Sequence, residues 1–193
     1  MALVKGTNCG FVTVAPTANP SGSASTNDNY VIGLKDVAPV GATIVTEIGW
    51  WCDNATEESN FEVGIYDHNA TDNNPENLLA GASQTNAKGT TAEWKRVTGL
   101  NISITAESIY WIAVQLDNTA TATSTDAALV TGEKYDYIGN ATTLPNPFGT
   151  SGGTSEKLIA FYAVYTTGVE LITPVDEERG TFRGAFRGAF LGV

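Results

Sequence analysis

Alternation of apolar and polar residues, interrupted at short intervals by turn residues, limits this chain's fold more than any other feature. In residues 60–66, Phe61, Val63 and Ile65 recur at every second position, which places them on one face of a β-strand. Turn-forming stretches such as Asp72-Asn-Asn-Pro75 separate runs of this kind. Roughly eight to ten short strands at this spacing predict a two-sheet sandwich.

Three other runs support the same fold. Residues 43–52 alternate, so the two faces of that strand are expected to differ. One face carries Ile44, Thr46, Ile48, Trp50 and Cys52. The opposite face carries Val45, Glu47, Gly49 and Trp51. Residues 109–116 and 157–165 are apolar on both faces, which predicts central strands covered on each side or near the rim of the sandwich. Weaker strand candidates are 11–14, 29–34, 78–84, 93–98, 101–104, 128–131 and 134–138.

Helix is not expected beyond a turn near residues 75–78, because no segment keeps a 3.6-residue apolar period with caps at both ends. The sequence therefore predicts an all-β, two-sheet antiparallel sandwich of jelly-roll type with an extended C-terminal arm. We place an N-terminal extended lead-in at 1–28, the sandwich at 29–172, and a linker with a repeat arm at 173–193.

Charge excludes some classes of function. The formal net charge is −11 and the isoelectric point about 4.3, whereas a nucleic-acid binder needs a basic surface for phosphate contacts. No stretch approaches 18 apolar residues and no secretory signal is seen, so neither a membrane span nor export is expected. The two cysteines, Cys9 and Cys52, form no disulfide framework, and whether they are bridged is left open.

The end of the chain is a repeat. Residues 179–190 read Arg-Gly-Thr-Phe, Arg-Gly-Ala-Phe, Arg-Gly-Ala-Phe. A period of four suits an extended chain, in which one face carries Phe182, Phe186 and Phe190, about 13 Å apart at ~3.3 Å per residue. The opposite face carries Arg179, Arg183 and Arg187.

These six residues predict a partner-binding arm. The phenylalanines would anchor it in pockets and the arginines would pair with carboxylates or carbonyls of a second copy or of another protein. Two alternatives stay open: the arm folds back as the last strand of its own sandwich, or it is a disordered tail. A homo-oligomer with exchanged arms is the expected assembly.

Catalytic and cofactor motifs are not found in the sequence. His68 is the only histidine, and it has no nucleophile motif to serve. The oxygen-rich loop that contains it offers a weak calcium candidate, without an EF-hand pattern, at Asp67, Asn69, Asp72 and Asn74. Paired carboxylates for glycoside hydrolysis would draw on strand residues such as Glu47, Glu62 and Glu93. We expect no cofactor and no enzyme activity.

Aromatic residues suggest a second kind of binding. Trp50 and Trp51 are adjacent, so they point to opposite faces of their strand. One of them belongs to the core, and the other lies on the outer face or in a groove. Trp51, Tyr66 and Trp94 are candidates for stacking on sugar rings, with plain core packing as the alternative.

Two stretches carry a family resemblance. Residues 42–54 (ATIVTEIGWWCDN) lead into 62–66 (EVGIY), and 94–105 (WKRVTGLNISIT) lead into 109–114 (IYWIAV). This pattern resembles jelly-roll sandwich domains of tailed-phage virion proteins and of uncharacterised viral and bacterial surface proteins, over roughly residues 40–116. The resemblance implies a decoration, head-fibre or tail-associated virion subunit assembled in the host cytoplasm. An extracellular glycan-binding module for host attachment and a bacterial surface or filament subunit that donates its terminal strand are the alternatives.

Overall fold

The computed structural model describes residues 2–22, 24–26, 29–53, 60–79, 86–87, 91–117, 123–129, 131–132 and 134–168. These residues form fourteen β-strands. For β2, β7 and β10 the structure describes the backbone only. The strands are β1 Cys9–Gly10, β2 Ala24–Thr26, β3 Val31–Val37, β4 Ala42–Cys52, β5 Asn60–Asn69, β6 Asn74–Leu78, β7 Asn86–Ala87, β8 Glu93–Ser103, β9 Ile109–Leu116, β10 Thr123–Leu129, β11 Tyr135–Ile138, β12 Gly153–Ser155, β13 Lys157–Ile159 and β14 Phe161–Thr167. Within those ranges no helix has the length and apolar character needed to span a bilayer.

Two antiparallel sheets contain all fourteen strands. The first sheet has the order β1-β14-β4-β10-β13, with β8 also on β4 and β2 on β10. The second has the order β12-β11-β3-β9-β5-β6, with β7 on β5. The chain repeatedly crosses between the sheets, as in jelly-roll connectivity. The predicted two-sheet sandwich is confirmed, and the predicted arm at 173–193 lies outside the described residues.

The main core lies between the sheets. Trp50 of β4 packs edge-on against Phe61 of β5, with ring centroids 5.6 Å apart, and so joins the two sheets. Val63 and Ile65 also point into this core, as their alternation predicts. The predicted orientation of these β5 side chains is therefore confirmed.

A second, smaller core covers the outer face of the second sheet. β9 lies between β3 and β5, and Trp111 projects from it into this outer cluster. The covering segment, residues 139–152, supplies Phe148, whose ring meets that of Tyr66 at 5.1 Å. The Tyr66 hydroxyl donates to the Pro145 carbonyl at 2.6 Å. β9 is thus buried on both faces, as its unbroken apolar sequence predicts.

One facing prediction on β4 is wrong. Val45 is fully buried in the main core, although simple alternation puts it on the face of Glu47. The pairing of β4 shifts register between these two residues on both of its flanks. Thr46 is the extra residue of a β-bulge, and such a residue reverses the alternation beyond it.

One local prediction also needs correction. Residues 75–78 belong to β6, because β5 and β6 pair as a hairpin in which Tyr66 faces Leu78. Within the predicted lead-in at 1–28, β1 pairs with β14 and β2 pairs with β10. The N-terminal region therefore belongs to the first sheet, and this pairing could not be read from its Pro, Ser and Gly content.

Candidate functional site

Five side chains on the outer face of the first sheet form what we name the Trp94 cluster. They come from three adjacent strands and are Glu47, Trp51, Trp94, Arg96 and Tyr162. The Trp94 ring lies 5.7 Å from Trp51 and 5.2 Å from Tyr162, edge-on in both pairs. Aromatic pairs favour this geometry. The Trp94 indole nitrogen donates to the Ala18 carbonyl at 3.0 Å, which fixes the ring against the N-terminal segment.

Gly49 makes room for this cluster. A Cβ atom at Gly49 would lie 2.2 Å from Cε1 of Tyr162, so the tyrosine ring lies directly over the glycine backbone. The Tyr162 hydroxyl donates to Oε1 of Glu47 at 2.6 Å. Burial, with help from the Glu47 hydrogen bond, raises the pKa of Tyr162. The tyrosine is therefore a neutral donor that orients the carboxylate.

Glu47 and Arg96 give the cluster a polar side. The Arg96 guanidinium nitrogen Nη1 lies 3.9 Å from Oε1 of Glu47, and the two side chains are 49% and 19% exposed respectively. Trp94 is partly exposed beside them. An aromatic ring, a cation and a carboxylate on one surface can bind a polar ligand with a flat apolar face.

The predicted stacking residues have different environments. Trp51 is only 6% exposed and Tyr66 is fully buried, so neither presents a ring face to a ligand. Tyr66 belongs to the outer core of the second sheet. Of the three, Trp94 is the most accessible, and its neighbours on this surface are Arg96 and Glu47.

The sequence pattern does not identify Tyr162 and Arg96 as site residues. Tyr162 lies in a run that is apolar on both faces, where an outward tyrosine has no distinguishing pattern. The signal for this site was Gly49, which breaks an otherwise bulky strand at the point where the Tyr162 ring crosses it.

The residues considered as calcium ligands lie in the β5–β6 hairpin, where Asp67 and Asn69 accept hydrogen bonds from neighbouring residues. Oδ1 of Asn69 accepts from the backbone nitrogens of Thr71 and Asp72, at 2.9 and 3.1 Å. The Asp67 carboxylate accepts from the backbone and side-chain nitrogens of Asn77. Asn74 has a buried Oδ1. Groups of three or more His, Cys, Asp or Glu with metal-binding geometry are not found among the described residues.

His68 packs against the outer core of the second sheet. Its Nδ1 accepts a hydrogen bond from the Trp111 indole nitrogen at 3.2 Å. The Lys35 ammonium lies 5.5 Å from the centre of the Trp111 ring and donates to Asn73 at 2.6 Å. Burial and the nearby Lys35 lower the pKa of His68, against an opposing effect of Asp67. The neutral imidazole suits this hydrogen bond.

The three carboxylates considered for glycoside hydrolysis do not converge. Glu47 lies on the outer face of the first sheet, bonded to Tyr162. Glu93 pairs with Lys95 at 2.7 Å on the opposite side of β8. Glu62 accepts from the backbone of Leu144 at 2.9 Å, beneath the covering segment. Paired carboxylates that share one substrate must lie within about 5–10 Å of each other on one surface.

The cysteines are both reduced and buried. Burial, aided by the charge of Glu47, raises the pKa of Cys9 to about 12. The six predicted partner-binding residues of the arm, Arg179, Phe182, Arg183, Phe186, Arg187 and Phe190, lie outside the described residues.

Comparison with family models, curated proteins and solved structures finds no match to this chain. Its function is therefore inferred from its own residues.

Proposed function

We propose that this chain is a non-enzymatic structural subunit of a larger assembly, of the type found in tailed-phage virions, and that its C-terminal arm anchors it. The observation that carries the proposal is the threefold Arg-Gly-x-Phe repeat at 179–190. Three evenly spaced aromatic residues on one face of an extended segment need a complementary surface. The partner is a second copy of the chain or another component of the assembly.

Charge supports this role. The arm holds three of the ten Lys and Arg residues and none of the 21 Asp and Glu residues. The remainder of the chain is therefore even more acidic than the whole. Opposite charge favours encounter between the arm of one copy and the acidic body of the next.

The described body already has filled cores. Both clusters of buried residues are built from residues between Phe11 and Tyr165. A body with this much buried apolar surface is expected to fold without the arm. The arm phenylalanines are then available to a partner, where each would contribute about 1.5–3 kcal/mol on full burial.

Deletion of residues 179–193 tests the proposal. The truncated body should stay folded and soluble, with an unchanged thermal midpoint, but should no longer enter the assembly in a sedimentation or particle-binding assay. Replacing the three arm phenylalanines by alanine should have the same effect, whereas replacing Ala185 and Ala189 by serine is the matched control. Normal assembly of the truncated chain would refute the anchoring role.

Electron microscopy of the native material separates the virion proposal from its structural alternative. Particles that carry the protein support a decoration, head-fibre or tail-associated subunit. Filaments made of this chain alone would favour a surface subunit that donates its terminal strand to the next copy.

A glycan-binding role at the Trp94 cluster is the second candidate. It is favoured by one specific observation, a partly exposed tryptophan next to the exposed Arg96 and the partly exposed Glu47. A glycan array with the native chain, Trp94→Ala and Arg96→Ala tests it. Ser103→Ala, an exposed position at the far end of the same strand, is the control. Binding that survives Trp94→Ala, or no binding to any glycan, would remove this candidate.

A further inference from the structure

A small cavity opens at one margin of the sandwich, away from the Trp94 cluster. Its volume is about 170 Å³, and its apolar walls come from Leu34 of β3, Leu158 of β13 and Val12 of the N-terminal segment. Leu34 is fully buried in the main core. An apolar cavity of about 150 Å³ holds a molecule the size of benzene, so this one has room for a short hydrocarbon body.

Cations are concentrated around this cavity. Lys5, Lys35 and Lys134 line it, together with a single carboxylate, Asp36. These lysines are half of the Lys and Arg residues in the described part of the chain. In a chain with a net charge of −11, random placement would favour acidic residues at any concave surface. A cleft of one sign with apolar walls attracts ligands of the opposite sign.

Two of these lysines form no ion pair within the described residues. The cations on β8 do so, since Lys95 contacts Glu93 and Arg96 approaches Glu47. The Lys5 ammonium instead contacts the Val12 carbonyl at 3.4 Å, at the edge of the cavity. For Lys134, hydrogen bonds are formed by the backbone. Like charges near a common cavity repel one another, and a bound anion would relieve that repulsion.

We propose that this cavity binds a small organic carboxylate with a short apolar body. The hydrocarbon part lies against Leu34 and Leu158, and the carboxylate is held at the rim by Lys5 and Lys134. The inference does not rest on the proposed assembly role.

Titration with butyrate, followed by ¹H–¹⁵N correlation spectra of the full chain, tests the proposal. Saturable shifts are expected at the amides of residues 5–13, 34–36, 134 and 158, with a dissociation constant in the millimolar range that suits so small a ligand. Two ligands of similar size serve as controls: n-butanol lacks the charge and n-butylammonium reverses it. Both should bind at least several-fold more weakly at matched ionic strength.

Variants localise the site. Lys5→Ala and Lys134→Ala should each weaken butyrate binding by about two- to fivefold, the usual range for one partly exposed charge, and Lys134→Glu should weaken it further. Arg96→Ala, which removes a cation elsewhere, should leave the affinity unchanged. Equal binding of butanol and butyrate, shifts spread over the whole surface, or no saturable shift would each overturn the proposal. An unchanged thermal midpoint of each variant confirms that it is folded.

Discussion

Replacing Gly49 by alanine is the sharpest test of the Trp94 cluster. The new Cβ would lie 2.2 Å from Cε1 and 2.4 Å from Cζ of Tyr162, whereas ordinary contacts begin at 3.4 Å. Neither side can yield easily. Gly49 is in the middle of β4, and the Tyr162 side chain is fully buried, packed on Trp94 and bonded to Glu47.

The magnitude follows from these contacts. The ring has to move by about 1 Å, and overpacking of this kind costs about 1–3 kcal/mol. Loss of the hydrogen bond to the Glu47 carboxylate adds about 1.5–3 kcal/mol. Reduced freedom of the unfolded chain returns about 0.5–1 kcal/mol. We expect a net loss of about 1.5–5.5 kcal/mol, or about 3–22 °C in the thermal midpoint of a chain of this size.

Urea and thermal unfolding monitored by circular dichroism measure this loss. Gly139→Ala is the matched control, because a Cβ there would meet Tyr30 at an ordinary 3.4 Å. The control should change the stability by less than about 1 kcal/mol. Equal stability of the two variants would refute the argument that the Tyr162 ring needs Gly49.

Three further predictions concern His68, Phe148 and Cys9. The proton resonance of His68, the only histidine, should titrate below the ordinary pKa of 6.5, and Lys35→Met should raise its midpoint, because Lys35 lowers the pKa. Since the folded state favours the neutral imidazole, the contribution of His68 to stability is complete above about pH 6.5 and is lost as the pH falls below that value. A titration midpoint of His68 above 6.5 would contradict the Trp111 hydrogen bond. Phe148→Ala should destabilise the protein by about 3–5 kcal/mol in urea unfolding, because its ring is buried against the second sheet; a loss under about 1 kcal/mol would mean that the covering segment does not depend on it. Cys9 should react with a thiol reagent only after denaturation, since burial raises its pKa to about 12, and rapid labelling of the native protein at pH 8 would show the contrary.

The alternation of apolar and polar residues correctly predicted which face of a strand most side chains occupy. The facing of Phe61, Val63 and Ile65 follows from the two-residue repeat, and so does the placement of Trp50 and Trp51 on opposite faces of β4. The unbroken apolar run of β9 correctly indicated cover on both faces. These features depend on the residues of one strand, which a sequence displays directly.

Features set by contacts between distant strands were not predicted. The inward turn of Val45 depends on the bulge at Thr46, which is defined by the pairing of β4 with β14. The sequence of β6, which contains Pro75, is typical of a turn. In the structure this segment is a β-strand because it pairs with β5. The burial of Trp51 depends on packing against Trp94 from the neighbouring strand. Each of these requires knowledge of which distant residues become neighbours.

The two outer faces of the sandwich contact different segments of the chain. An apolar outer face must be covered, and this chain covers that of the second sheet with residues 139–152, through Phe148. On the first sheet, the N-terminal segment contacts Trp94 through the Ala18 carbonyl. The described residues thus show a packed cover on the second sheet and a single N-terminal contact to Trp94 on the first. Under the proposed anchoring role, the three phenylalanines at residues 182, 186 and 190 would bind a partner surface rather than either of these two faces.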